Sequence, residues 1–168
     1  MLQSLPYAAV RKELPVPPVF RADPYPCYNF DVVIQGISDD GKAVKGSFSE
    51  VHGLDVELDV IDYRNGSEDI TVRKLPGLRK FSNIVLKRGL VGDLTLWNWI
   101  LSAMQGTVRR ANMSITLLDE NRNPVMQWHF VRAWPCKWSG PGLNAKSNDV
   151  AIETLEICHE GMSIDGQA

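Results

Sequence analysis

The sequence predicts a mainly β protein, a small antiparallel β-barrel or sandwich with one α-helix. Along most of the chain from Cys27 onward, apolar and polar residues alternate with a period of two, as in half-buried strands. Turn-forming glycine, asparagine and proline residues separate these segments. One segment, between Asp93 and Gly106, has instead the apolar spacing of an amphipathic helix.

The composition limits the class of protein. A chain of 168 residues, 44% hydrophobic and 23% charged, is long enough for one domain with a hydrophobic core. Its net charge of −2 gives no reason to expect specific nucleic-acid binding. Charges interrupt the apolar stretches and the first residues lack a secretory pattern, so we expect neither a membrane span nor a signal peptide. Cys27, Cys136 and Cys158 lack CxxC spacing, which favours reduced thiols in a cytoplasmic protein.

The N-terminal segment differs from the rest of the chain. Half of the ten prolines lie within residues 1–24, and proline fixes φ and removes a backbone donor. We therefore divide the chain into a Pro-rich arm at 1–22 and a β domain at 23–168. The arm is expected to be extended, and either mobile or bound to a neighbouring molecule.

Alternation and turns predict the first strands. A strand from Cys27 is followed by a hairpin turn at 39–41, and residues 45–64 form a long β segment that bends at Gly53. After this glycine, one face is apolar and is expected to reach the core, while the other is acidic. The apolar set is Leu54, Val56, Leu58 and Val60, and the acidic set is Asp55, Glu57 and Asp59.

A long loop and the helix follow. Turn signals near both ends of residues 65–79 predict a loop, and long loops in small domains usually have a function. The helix begins after Asp93 and ends at Gly106, and we expect it to bury Trp97, Ile100, Leu101 and Met104. Leu96 and Trp99 lie outside this stripe, so a second face is also a candidate for burial. The basic pairs that flank it, at 87–88 and 109–110, are expected in solvent or paired with acidic groups of a neighbouring subunit.

The last part of the chain predicts a hairpin and a final strand. Residues 111–120 and 123–139 flank a turn at 121–124, and Pro135 is expected at an edge or end of a strand. Residues 148–161 close the chain with a strand. The total is six or seven strands, which favours a closed or nearly closed antiparallel barrel or a sandwich.

The sequence carries no recognisable catalytic, cofactor-binding or metal-binding pattern. HExxH, GxSxG, Walker and GxGxxG motifs do not occur. His52, His129 and His159 lack the spacing of zinc ligands. The acidic face after Gly53 is typical of a solvated strand. We therefore expect no enzyme activity, no cofactor and no metal.

An ordered series of short motifs resembles the phage tail tube family of contractile tails and extracellular contractile injection systems. It spans about residues 23–162. In chain order the motifs are Asp23-Pro24-Tyr25, Phe30-Asp31-Val32, Phe48-Ser49-Glu50-Val51, Gly53-Leu54, Tyr63-Arg64-Asn65-Gly66, Leu75-Pro76-Gly77-Leu78, Leu86-Lys87-Arg88-Gly89, Leu96-Trp97, Trp99-Ile100, Leu117-Leu118-Asp119-Glu120, Trp128, Phe130, Ala133-Trp134-Pro135, Lys137, Gly140-Pro141, Glu153, Leu155-Glu156 and His159-Glu160-Gly161.

The resemblance implies a fold similar to the haemolysin-coregulated protein of type VI secretion. It also implies that six copies form a ring and that rings stack into a tube inside a contractile sheath. The implied partners are other copies, the sheath protein, baseplate and tube-cap proteins, and cargo in the lumen, after assembly in the bacterial cytoplasm. The alternatives are a specialised tube-initiating paralogue at the baseplate, or a monomeric β-barrel that binds a small apolar ligand.

Two sets of residues are candidates for roles in such a tube. Leu75, Pro76, Gly77 and Leu78 lie in the predicted loop, where no strand period buries the leucines, so we expect them to contact the next ring. The acidic face of Asp55, Glu57 and Asp59 is expected to line the lumen, where its charge would repel acidic cargo from the wall.

Overall fold

The computed structural model describes residues 19–38, 41–66 and 71–164, which form ten strands and one helix. The predicted turn at Asp39 and Asp40 and most of the Pro-rich arm lie outside these residues. The strands are β1 Phe30–Ile34, β2 Val44–Gly46, β3 Glu50–His52, β4 Val56–Tyr63, β5 Arg73–Phe81, β6 Ile84–Gly89, β7 Ala111–Leu118, β8 Pro124–Ser139, β9 Ile152–Cys158 and β10 Gly161–Ile164. The helix, α1, is Thr95–Met104.

Eight of these strands form one antiparallel sheet that is folded into two layers. The strand order is β2-β1-β7-β8-β9-β6-β3, and β10 also pairs with β8. The first half of β8 pairs with β7 and β10, and its second half pairs with β9. At the change between the halves, Arg132 has a positive φ of 54°, and the register with β7 shifts. Because the order ends at β2 and β3, the described strands form a sandwich-like fold and not a closed barrel. The predicted mainly β fold with one helix is confirmed.

The core lies between the two layers and beneath α1. Trp99 and Phe130, both 0% exposed, are its largest side chains. The buried indole Nε1 of Trp99 donates to the carbonyl oxygen of Arg109 at 2.9 Å, so its polar atom is satisfied. Around them pack Val32, Ile34, Ile37, Ile84, Leu86, Leu96, Ala111, Met113, Ile115, Ala133, Leu155 and Ile157.

The C-terminal end of the helix follows the predicted signal, whereas the N-cap position is Leu94 and the predicted Asp93 lies one residue before it. The Asp93 carboxylate accepts from the backbone N–H of Thr95 at 3.0 Å and from its hydroxyl at 2.6 Å. These bonds hold the pKa of Asp93 below its ordinary value. Gly106, with φ of +89°, ends the helix in the left-handed conformation that glycine favours.

The predicted buried stripe of the helix is correct only at Ile100. The fully buried residues are Leu96, Trp99 and Ile100, whereas Met104 is 70% exposed. Residues 96, 99, 100 and 103 have the same spacing as the predicted set at 97, 100, 101 and 104. Periodicity therefore allows two adjacent stripes, and the helix turns the one containing Trp99 towards the sheet. Trp97 instead packs edge-on against Trp138, with ring centroids 4.9 Å apart.

Gly53 divides the predicted long β segment into parts that belong to different sheets. β2 pairs with β1, β3 pairs with β6, and β4 pairs with β5 in a separate two-stranded sheet. Gly53 has φ of +92°, and a Cβ atom there would lie 2.0 Å from the carbonyl oxygen of Asn83. Only glycine allows this approach, so the predicted bend is confirmed.

Two expectations for residues 54–79 are wrong. Residues 73–79 are not loop but belong to β5, which pairs with β4 from Tyr63↔Arg73 to Val56↔Phe81. The apolar face of β4 does not enter the core, because the β4–β5 hairpin forms its own sheet and no second layer of the described chain covers it. Val56, Leu58 and Val60 are 53–63% exposed, and Leu54 alone of the set packs against the core.

The C-terminal elements follow the prediction and extend it. β7 and β8 form the predicted hairpin, and the Asp119 carboxylate accepts from the backbone N–H groups of Asn121 and Asn123, both at 2.8 Å. Pro135 lies at a bulge, in the half of β8 that does not pair with β7. Because proline has no backbone N–H, it could not donate to a second strand, and no hydrogen bond to β7 is lost there. β9 is the predicted final strand, and β10 was not predicted.

Candidate assembly surfaces

The β4–β5 hairpin exposes apolar side chains on both of its faces. Single exposed apolar residues are ordinary, but a contiguous set on one element is typical of an interaction surface. The exposed set is Val56, Leu58, Val60, Ile61, Tyr63, Leu75 and Leu78. The hairpin is therefore the main candidate for contact with another molecule.

The four residues predicted to contact the next ring lie in β5, near its middle. Leu75 is 44% and Leu78 78% exposed. Pro76 pairs with Val60, and it is tolerated because β5 is an edge strand of a two-stranded sheet. At the register shift, two residues of β5, Gly77 and Leu78, lie opposite one residue of β4, Asp59. A Cβ atom on Gly77 would lie 3.0 Å from the Cβ atom of Asp59. The turn signals Pro76-Gly77 therefore mark a bulge and not a loop.

The three acidic residues predicted to line the lumen are on or next to β4. Lys80 binds the carboxylate of Asp59 at 2.7 Å, which raises the pKa of Lys80, and it lies directly opposite Glu57 in the register. Arg73, opposite Tyr63 in the register, lies on the same face, so three carboxylates and two cations leave one negative charge there. The sequence argument missed Lys80, because it considered β4 without a partner strand.

A groove of 510 Å³ opens between the two layers beside β3. Ile115, Leu117 and Trp128 line it from one layer, and Val51 and Leu54 line it from the other side. Among the described residues, β3 pairs with β6 only, so its other edge is free. The exposed thiol of Cys27 also lies in this lining.

The described end of the arm is attached to the β7–β8 turn. The backbone N–H of Val19 donates to the carbonyl oxygen of Val125 at 3.1 Å. The guanidinium of Arg21 binds Glu120 at 2.9 Å and lies 4.0 Å from the centre of the Tyr25 ring. Phe20 is nevertheless 97% exposed, so the domain does not cover this aromatic ring.

A buried ion pair joins β6 and β9 within the second layer, and its arginine also binds the segment that precedes the helix. Arg88 and Glu153 are only 6% and 3% exposed, and Arg88 Nε donates to Glu153 Oε1. The same guanidinium donates to the side chain and backbone of Asp93 at 3.1 and 2.9 Å. Trp138 Nε1 donates to the other oxygen of Glu153 at 2.9 Å.

The expected positions of the basic pairs are therefore wrong in part. Arg88 is not solvated, and its alternation with Ile84 and Leu86 was the signal that placed it on the core side. Arg110 pairs with Glu160 of its own chain, as does Arg132, and so its described partner is not on a neighbouring subunit.

Histidine, cysteine and acidic side chains are the candidates for metal binding among the described residues. Within them, no group of three or more histidine, cysteine and acidic side chains could hold a metal ion. His159 packs on Phe81 and Phe130 and has Ser82 O 3.0 Å from its Nε2. Burial raises the pKa of Cys136 to about 12, so its thiol stays protonated. In the same part of the chain, no helix is long and apolar enough to span a membrane.

Comparison with known proteins gives a consistent set of relatives. No curated protein sequence matches the chain. A chain in the cryo-EM structure of the anti-feeding prophage baseplate aligns with a TM-score of 0.79 and 27% identity, covering 87% of this chain and 98% of that one. A chain in the sheath–tube complex of the extracellular contractile injection system PVC aligns with a TM-score of 0.74 and 29% identity, covering 84% and 91%.

More distant structures share the fold. Hcp1 from Flavobacterium johnsoniae aligns with a TM-score of 0.50 and 17% identity, covering 82% of this chain and 95% of that one. The model of the family described as T4-like virus tail tube protein gp19 matches residues 26–163, which include nearly all of the β domain. The chain therefore belongs to the tail tube protein family of T4-like viruses.

Proposed function

We propose that this chain is the subunit of the inner tube of a contractile injection system or phage tail, where six copies form a ring and rings stack inside a sheath. The observation that carries the proposal is the β4–β5 hairpin, whose exposed apolar side chains find no covering layer in the described chain. A partner must cover such a surface, and for a self-assembling subunit the partner is another copy.

Ring formation is tested on the purified full chain. Obligate interfaces usually bury about 2,000 Å² or more, so rings are expected to persist at micromolar concentration. Electron microscopy is expected to show six-fold rings or tubes, and sedimentation velocity to show a species several times the 18.8 kDa chain mass. A strictly monomeric chain, even with its sheath protein present, would contradict the proposal and favour the alternative of a monomeric protein that binds a small apolar ligand.

The proposed inter-ring contact is residues 75–78 of β5. Leu75→Asp combined with Leu78→Asp places two charges in the contact, so stacking is expected to fail while single rings remain. The matched control, Leu75→Met with Leu78→Met, keeps the apolar surface and is expected to stack normally. Normal tubes from the Asp variant would show that these residues do not form the axial contact.

The proposed lining of the lumen is the face of Asp55, Glu57 and Asp59. Lys80 and Arg73 neutralise part of it, so each subunit contributes a net charge of about −1 to the wall. Replacing the three by Asn, Gln and Asn is expected to leave assembly intact and to increase the nucleic acid retained by purified tubes at low salt. A structure of the assembled ring with these side chains outside the bore would overturn this assignment.

The second candidate is a tube-initiating subunit at the baseplate. The similarity to a chain in the anti-feeding prophage baseplate structure, with a TM-score of 0.79, supports it. Quantitative mass spectrometry of intact particles distinguishes the two roles. A bulk subunit is expected in many rings, with a copy number that scales with tube length, whereas an initiator is present in one or two rings whatever the length.

A further inference from the structure

The structure contains an apolar groove that the proposed tube role leaves unassigned. We propose that the groove of one subunit binds residues 5–10 of the N-terminal arm of an adjacent copy. This inference rests on the proposed function, because it requires copies of the chain to lie side by side.

The groove has the properties of a site for an apolar peptide. At 510 Å³ it is within the usual range of binding pockets, and the rings of Tyr25, Phe30 and Trp128 line it. Aromatic-lined grooves are typical receptors for proline-containing extended segments, whose conformational entropy is already low. The free edge of β3 beside it adds unpaired backbone groups that an extended peptide can bond.

The arm supplies a matching peptide. Residues 5–10 read Leu-Pro-Tyr-Ala-Ala-Val, an uncharged run with a proline at its second position. Arg11 and Lys12 follow it immediately, and the carboxylate of Glu50 lies in the groove lining. Because Lys87 already binds that carboxylate at 2.7 Å, the match rests on the apolar run and not on these charges.

The spacer between this run and the domain favours binding to a neighbour. Residues 11–18 contain Pro15, Pro17 and Pro18, and a proline-rich spacer of eight residues spans about 25 Å at ~3.1 Å per residue. The described chain starts at Val19, beside Val125, at the same end of the sheet as the groove. Tyr25 of the groove lining donates its hydroxyl to the carbonyl oxygen of Val19 at 2.9 Å, so the groove lies beside the first described residue. A spacer of this composition and length is expected to hold the run farther away than that. The 97% exposure of Phe20 agrees with a chain that leaves the domain there.

Cys27 provides a direct test, because its exposed thiol lies in the groove lining while Cys136 is held protonated by burial. In the full chain, Ala8→Cys places a thiol in the middle of the proposed ligand. Mild oxidation by air with a copper–phenanthroline catalyst is expected to give covalent dimers and longer ladders on a non-reducing gel. Cys27→Ser in the same background is expected to lower their yield at least tenfold.

Two further variants exclude unspecific cross-linking. Gln105→Cys puts a thiol on an exposed position outside the groove and is expected to give no ladder above background. Leu5→Asp with Tyr7→Asp, added to Ala8→Cys, removes the apolar contacts and is expected to lower the yield at least tenfold. The urea midpoint of every variant is measured, so that a lost ladder is not confused with a lost fold.

The outcomes separate this inference from the proposed function. Rings seen by electron microscopy without a ladder would refute the arm–groove contact and leave the tube role standing. A cross-link confined to single chains, seen by mass spectrometry, would show that the arm binds its own groove and would also overturn the inference. An equal ladder from Gln105→Cys would do the same. A ladder that needs both Cys27 and the apolar run supports it.

Discussion

Replacing Glu153 by Gln is expected to destabilise the fold strongly, although the two side chains have nearly the same volume. The carboxylate is 3% exposed and compensates a guanidinium that is itself 6% exposed. After the change, Asp93 is the remaining anion bound to Arg88, and its side chain is 41% exposed. Leaving a buried charge without its close partner costs about 3–5 kcal/mol.

Replacing both buried partners is expected to cost much less free energy of unfolding than the sum of Arg88→Met alone and Glu153→Leu alone. Arg88→Met with Glu153→Leu removes both charges and fills the space with apolar atoms, which is often close to neutral. The indole N–H of Trp138 then loses its acceptor, a penalty of about 1–3 kcal/mol. The sum of the single losses is about 6–10 kcal/mol, so the coupling is expected to exceed about 3 kcal/mol.

Urea denaturation measures these differences, at a protein concentration where sedimentation shows the monomer. With a slope of about 2 kcal/mol per molar, the single change moves the midpoint by roughly 1.5–2.5 M. The matched control is Glu57→Gln on the exposed hairpin, which is expected to shift the urea midpoint by less than about 0.3 M. A small shift for Glu153→Gln, or a double variant as unstable as the sum, would refute the reasoning.

Three further predictions concern the backbone, pH and thiol reactivity. Gly53→Ala is expected to lower the thermal midpoint by many degrees in differential scanning calorimetry, since its Cβ would overlap the Asn83 carbonyl; an unchanged midpoint would contradict this. The pKa of Asp93 is lowered, so its stabilisation is present above the ordinary value of 3.8 and is lost as the pH falls further; the stability difference from Asp93→Asn is expected at neutral pH and to vanish near about pH 2. Maleimide at about pH 7.5 is expected to modify Cys27 at least tenfold faster than Cys136, as peptide mass spectrometry can measure.

Local signals predicted those elements whose stabilising contacts are also local. The end of the helix at Gly106 and the turn around Asp119 depend on residues a few positions away, and both were predicted correctly. The same is true of the bend at Gly53, although its close contact is with Asn83. These features need a backbone conformation that the residue type alone makes favourable.

The errors arose where a face or a partner is selected at long range. Alternation in β4 shows that one face is apolar, but it does not show whether the covering layer belongs to the same chain. Pro76 and Gly77 are turn residues in most contexts, yet a two-stranded sheet with open edges tolerates both. The pairing of Arg88 with Glu153 joins positions 65 residues apart. In the sequence, only the alternation of apolar residues along each strand indicates that both side chains face the core.

The continuity of β8 has a mechanical consequence. Its 16 residues are hydrogen-bonded to three other strands, so a single covalent backbone runs through both layers. Sliding one layer over the other would require main-chain hydrogen bonds to break in shear, and not only side-chain contacts to slip. A push on one layer is thus transmitted to the other along a strand. This gives the subunit high resistance to deformation along β8, whichever layer takes the load.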